Sequence, residues 1–210
     1  MALPVPAPRA PLDGRPANRR RRADGSPVAR WYAEVLGWAA VDGPPVRLPT
    51  GLRFDVLDLP VAAGLAVLRR VRGDWPVAVE GGRMRVLVAA GTADELPGLL
   101  DWLEWGGVAL DLAAWGAGCR MTAPAPPGWE ASGAPGWEAS GAPGASVWLR
   151  PPDPDRDVEA TLAGLTETGA TACAGLSGGS GLVRLVAVAA AECHRARLLA
   201  AARAGGAALG

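Results

Sequence analysis

The fold this chain predicts is α+β: an antiparallel-rich sheet with helices packed on it, preceded by a disordered tail and followed by a helix. Three observations between Trp75 and Pro126 predict it. The first is a hairpin, because Gly81-Gly82 supplies the positive backbone angles of a tight turn between a run ending at Val79 and one starting at Met84. The second is alternation, with Met84, Val86 and Val88 on one side and Arg85, Leu87 and Ala89 on the other, the period of a strand. The third is a helical stripe of Leu96, Leu99, Leu100 and Leu103. Thr92 and Glu95 have capping-box spacing at its start, against which Pro97 removes one early donor. Gly106-Gly107 ends that helix, Val108 to Leu112 reads as a strand, and the Gly116 to Gly118 turn leads into another strand at Cys119 to Ala123.

The remaining elements follow in order. Residues 1–26 are rich in Pro, Ala and Arg, carry the run Arg19 to Arg22 and show no periodicity, the composition of a disordered tail. Pro27 to Trp38 predicts a short helix burying Trp31 or Tyr32 with Val35 and Leu36. Gly51 to Leu59 predicts a strand, and Pro60 to Val71 a helix that covers the sheet with Ala62, Leu65, Val67 and Leu68. Residues 124–144 form a low-complexity insertion in which PGWEASGA occurs at Pro127 to Ala134 and again at Pro135 to Ala142. Neither copy has the apolar surface to stack as a solenoid repeat. Ser146 to Leu149 reads as a strand, Val158 to Leu165 as a helix, Gly175 to Gly181 as a link and Leu182 to Arg203 as a long helix. The domain organisation is therefore a tail (1–26), an α+β domain (27–150) and a helical extension (151–210).

Composition excludes several functions. The 210 residues carry no net charge, which argues against a uniformly basic nucleic-acid binder. The charge is uneven, however: in the first 30 residues Arg9, Arg15, Arg19 to Arg22 and Arg30 are set against only Asp13 and Asp24, a pattern of a solubilising tail or of a phosphate-backbone contact. Three cysteines (Cys119, Cys173, Cys193) without a CxxC, and a single histidine, His194, give neither a zinc spacing nor a disulfide framework. The first 20 residues hold no continuous apolar run of signal-peptide length and no 18-residue apolar run occurs anywhere, so a cytoplasmic protein that makes no membrane contact is expected.

Four motifs follow one another between Ala29 and Arg150. Gly37-Trp38 closes the first helix; FDVLDLPVAAGLAVL runs from Phe54 to Leu68; Gly81-Gly82-Arg83-Met84 opens a strand; LDLAAWGAG from Leu110 to Gly118 leads to APAPP from Ala123. In this order they resemble the N-terminal domain of bifunctional DNA primase/polymerases, the prim-pol branch of the archaeo-eukaryotic primase superfamily. The resemblance implies a prim-pol/RRM-like palm. It also implies metal-ligand positions at Asp58 or Asp55 and at Asp111, where carboxylates would converge on Mg or Mn. The family's second acidic position falls on Leu57 if Asp55 is the first acid and on Pro60 if Asp58 is; the distance to Gly64 favours Asp58. Three residues apart on one strand, Asp55 and Asp58 face opposite sides unless a bulge intervenes.

The family's nucleotide-contacting His position carries Met84, which donates no hydrogen bond, leaving Arg83 and Arg85 as candidate nucleotide-binding groups. The expectation is a prim-pol-like domain with a degenerate metal site that binds single-stranded DNA or nucleotide, with no cofactor; Mg or Mn enters only if the site is active. The alternatives are an active primase/polymerase, or a non-catalytic module that binds replication or regulatory proteins. For the last, Trp102, Trp105 and Trp115 would supply contact surface if they are not core.

Overall fold

The computed structural model describes residues 25–129, 145–165 and 181–207. The arginine run, the octapeptide copies beyond Trp129, Cys173 and nearly all of the Gly175 to Gly181 link lie outside them. The elements in order are α1 (Pro27–Val35), β1 (Arg47–Pro49), β2 (Phe54–Pro60), α2 (Val61–Arg70), β3 (Val77–Glu80), β4 (Arg83–Ala89), α3 (Thr92–Trp102), β5 (Ala113–Trp115), β6 (Arg120–Thr122), β7 (Val147–Arg150), α4 (Val158–Thr161) and α5 (Gly181–Ala207). Among the described residues no helix is long and apolar enough to cross a membrane.

Five strands form an antiparallel sheet in the order β5-β2-β4-β3-β7, and β1 pairs with β6 in a separate two-stranded ribbon. From β2 to β5 the chain runs β-α-β-β-α-β with the first strand between the third and the fourth, the split βαβ arrangement. One face is apolar through Leu57, Leu59, Met84, Val86 and Val88 and is covered by α2, α3 and α5. The opposite face carries Phe54, Val56, Ala78 and Leu87 and is covered in part by α1, the β1–β6 ribbon and α4. The α+β class and the antiparallel sheet are thus as expected. The C-terminal helix is part of the body: Leu182, Leu185, Val186, Ala189 and Cys193 lie in the same core as α2 and α3, and Arg70 of α2 pairs with the buried Glu192 of α5.

Several local expectations are corrected. Val108 to Leu112 is not a strand; the chain there wraps the edge of α3, Arg197 of α5 donates to the Ala109 carbonyl, and the strand that reaches β2 is Ala113–Trp115. The strand expected at Cys119 to Ala123 is Arg120–Thr122 and leaves the main sheet, because Thr50 binds the Gly116 carbonyl (2.6 Å) and the Cys119 carbonyl (3.1 Å) and so ties the preceding turn to the β1 side. The helix expected over Val158 to Leu165 stops at Thr161, and the Ala163 carbonyl instead accepts from Ala89 at 2.9 Å. In α2 the buried stripe is Ala63, Gly64 and Val67, with Ala62 and Leu65 outward. The start of the insertion is ordered against the second core: Tyr32 donates to the Pro124 carbonyl at 2.9 Å, and Ala125 is buried.

Candidate functional site

Strand alternation decides where the acidic residues go. On β2, Asp55 shares a side with Leu57 and Leu59, toward the helices, while Asp58 shares a side with Phe54 and Val56. No bulge interrupts the β2–β4 register between them, so the two aspartates face opposite sides, as their spacing requires.

Asp55 is 1% exposed, and its Oδ2 accepts from the Ala93 amide at 2.8 Å. It is therefore the anion at the amino end of α3, where unsatisfied N–H groups and the helix dipole favour a carboxylate. The expected Thr92–Glu95 capping box is absent: α3 starts after Gly91 in a left-handed conformation, and the buried Thr92 hydroxyl accepts no amide. Gly116 permits the approach, since a Cβ there would stand 2.7 Å from the Ala93 Cβ and 3.6 Å from Asp55 Oδ2.

On the other face Asp58, Arg83, Arg85, Asp111 and Glu80 meet. Arg83 donates to Asp58 Oδ2 through Nε (3.0 Å) and Nη2 (2.7 Å), and through Nη1 to Asp111 Oδ1 (2.6 Å). Arg85, opposite Asp58 in the register, lies 3.7 Å from Asp58 Oδ1, pairs with Glu80 and stacks its guanidinium 4.5 Å from the centre of the Trp115 ring. Burial lowers the Arg83 pKa, but hydrogen bonds and charge from Asp58 and Asp111 outweigh it and hold the guanidinium above its usual range. For Arg85 burial dominates and pulls the pKa down, with Asp58 opposing. Asp58 is buried and Asp111 is exposed, so the pair closes from the sheet outward.

The cluster has three carboxylates and two guanidiniums, one negative charge in excess. Asp58 and Asp111 do converge, but on Arg83, and the remaining candidate acid is on the far side of the sheet. Among the described residues no three His, Cys, Asp or Glu side chains are placed to share an ion. The site does not fit a divalent metal. Met84 points into the helix-side core at 0% exposure, under Gly64, and has no access to this face.

Glu80 was not among the sequence candidates, and Trp115, named there as possible contact surface, was not placed beside Arg85. Glu80 was legible in principle: a two-residue turn at Gly81-Gly82 pairs Glu80 with Arg83, and alternation places it beside Arg85. Trp115 was not, because its strand had been placed five residues too early. Of these tryptophans Trp102 is not core, being 72% exposed, while Trp105 is half-buried with its ring 5.7 Å from that of His194. No known family, curated protein or solved structure matches the chain.

Proposed function

We propose that this chain is a prim-pol-like domain that has lost polymerase chemistry and acts by binding single-stranded nucleic acid or nucleotide. The observation that carries the loss of chemistry is the Arg83 guanidinium between Asp58 and Asp111, the two positions that the motif resemblance assigns to metal binding. A two-metal reaction needs carboxylates free to hold cations, and these are already neutralised. The negative excess of the cluster disfavours it as the main phosphate contact; in this reading the Arg19 to Arg22 run, the densest positive segment of the sequence, takes that role.

The test uses the full chain. Binding to single-stranded DNA should weaken steeply between about 50 and 200 mM salt, and removing residues 1–24 should flatten the slope. No primer should be made or extended with Mg or Mn. Extension that disappears in Asp111→Ala would overturn the loss of catalysis, and absence of binding at about 50 mM salt would overturn the nucleic-acid role. One observation favours a protein-binding role as the second reading: Trp102 is exposed, as are Leu198 and Leu199 on α5.

A further inference from the structure

We propose that the groove between α3 and the free edge of β5 is the docking site of this chain's own first 24 residues, which add a strand to the sheet there. The groove holds about 410 Å³ and is lined by Leu96, Pro97 and Leu100 of α3, by Val108 and Leu110 of the following loop, and by Ala114 of β5. β5 closes the sheet at one end: among the described residues it pairs only with β2, and no other backbone group bonds to its outer side. Edge strands are ordinarily guarded by charge, proline or a bulge. Ala113-Ala114-Trp115 has none of these.

The charge of the rim selects the occupant. Between Arg85 and Arg120 the chain carries Asp94, Glu95, Asp101, Glu104 and Asp111, all exposed, and no basic residue. Asp101 lines the groove, and Asp94, two turns earlier on α3, lies on the same side of the helix. Arg83 pairs with Asp111, but among the described residues the other four have no arginine partner. Residues 1–24 carry six arginines against two aspartates. Their apolar end fits an edge, because Leu3, Val5 and Ala7 alternate with Pro4, Pro6 and Pro8. Alternate residues of a strand turn their backbone groups to opposite edges, so Leu3, Val5 and Ala7 can all bond β5 while each missing proline donor faces solvent. Their side chains share one face, and each precedes a proline, which favours the extended backbone an added strand needs. The 17 residues from Pro8 to Asp24 span about 55 Å when extended, against a radius of gyration of about 15 Å for a domain of this size. Docking withdraws the arginine run from phosphate; that consequence rests on the nucleic-acid role proposed above, whereas the docking itself does not.

The test is amide hydrogen exchange on the full chain with no nucleic acid present. Leu3, Val5 and Ala7 should exchange at least about tenfold more slowly than in a free peptide of residues 1–24. Val5→Pro removes a donor aimed at β5 and should abolish that protection and speed exchange in β5, while Pro6→Ala should leave both unchanged. Asp94→Arg combined with Asp101→Arg should release the segment in the same way, in a chain whose circular dichroism matches the wild type. Exchange at the free-peptide rate overturns the proposal, as does protection that survives Val5→Pro or the charge reversal. Protection that appears only on dimerisation assigns the groove to a second copy and overturns it equally. Loss of nucleic-acid binding would leave these exchange rates standing, so the two readings fail separately.

Discussion

Replacing Asp55 with alanine distinguishes a helix anchor from a metal ligand, because the two roles predict opposite signs. As an anchor, Asp55 provides the acceptor for the Ala93 amide, 2.8 Å away, in a site from which water is excluded. Losing a helix-capping acceptor costs about 0.5–2 kcal/mol, and a hydrogen bond to a charged group is worth about 1.5–3 kcal/mol. These describe one interaction and are not summed. Against them stands the relief of desolvating a carboxylate whose Oδ1 has no partner. The net expectation for Asp55→Ala is a loss of about 2 kcal/mol, or about 4–8 °C in melting temperature for a chain of this size. Asp55→Asn keeps an oxygen acceptor while giving up the charge–dipole attraction, and should lose about 1 kcal/mol.

The assay is urea unfolding followed by tryptophan fluorescence, with and without Mn²⁺. A metal-ligand carboxylate, repelled by its neighbours in metal-free buffer, would give the reverse: a stabilised Asp55→Ala protein and a Mn²⁺-dependent difference. Wild-type or greater stability of Asp55→Ala would refute the anchor assignment.

Two further outcomes follow from the core. Gly64→Ala adds a Cβ into contact with the Met84 sulfur and 3.0 Å from its Cβ and Cε, so overpacking of about 1–3 kcal/mol should exceed a helix-propensity gain of about 1 kcal/mol; a raised urea midpoint would contradict the packing. Burial, with the Asp111 charge second, pushes the Cys193 thiol up to about 12 from 9.0, and burial likewise raises the Tyr32 phenol above 10.0. Below pH 9.0 Cys193 keeps its proton in both states; above it only the unfolded chain loses the proton, so stability falls toward pH 12 by about 1 kcal/mol per unit, with Tyr32 adding to the fall above 10.0. Cys193→Ala should flatten this alkaline slope, and an unchanged slope would refute the assignment.

The parts of the fold that local chemistry controls were legible in the sequence. Gly81 and Gly82 do adopt positive φ (55° and 81°), and the alternation of Met84, Val86 and Val88 does select the helix-facing side. The opposition of Asp55 and Asp58 needed only the period of a strand. What was not legible depends on distant partners. The apolar run Val108 to Leu112 has strand composition, yet part of it lines a groove with Leu96, Pro97 and Leu100 of α3. The short run Ala113–Trp115 completes the sheet because β2 offers it a free edge. Thr92 has the residue type and spacing of a cap, yet its hydroxyl makes no bond, and Asp55, 38 positions before Ala93, accepts the Ala93 amide instead. The candidate site was legible as a set of residues but not as a set of bonds: Asp58, Asp111, Arg83 and Arg85 were all named, and nothing local showed that they neutralise one another.

That mutual neutralisation also separates this cluster from a metal centre in kind. A bound divalent ion exchanges with the medium, so carboxylates that hold one gain or lose their compensation with metal concentration. A guanidinium is covalently fixed, does not deprotonate in the accessible range, and here is held above its ordinary pKa by the very carboxylates it joins. Asp58 and Asp111 thus keep a constant partner whatever the ionic conditions, and the loop bearing Asp111 stays tied to β4 without a ligand. The charges of this sheet face are therefore held in place by the chain's own side chains.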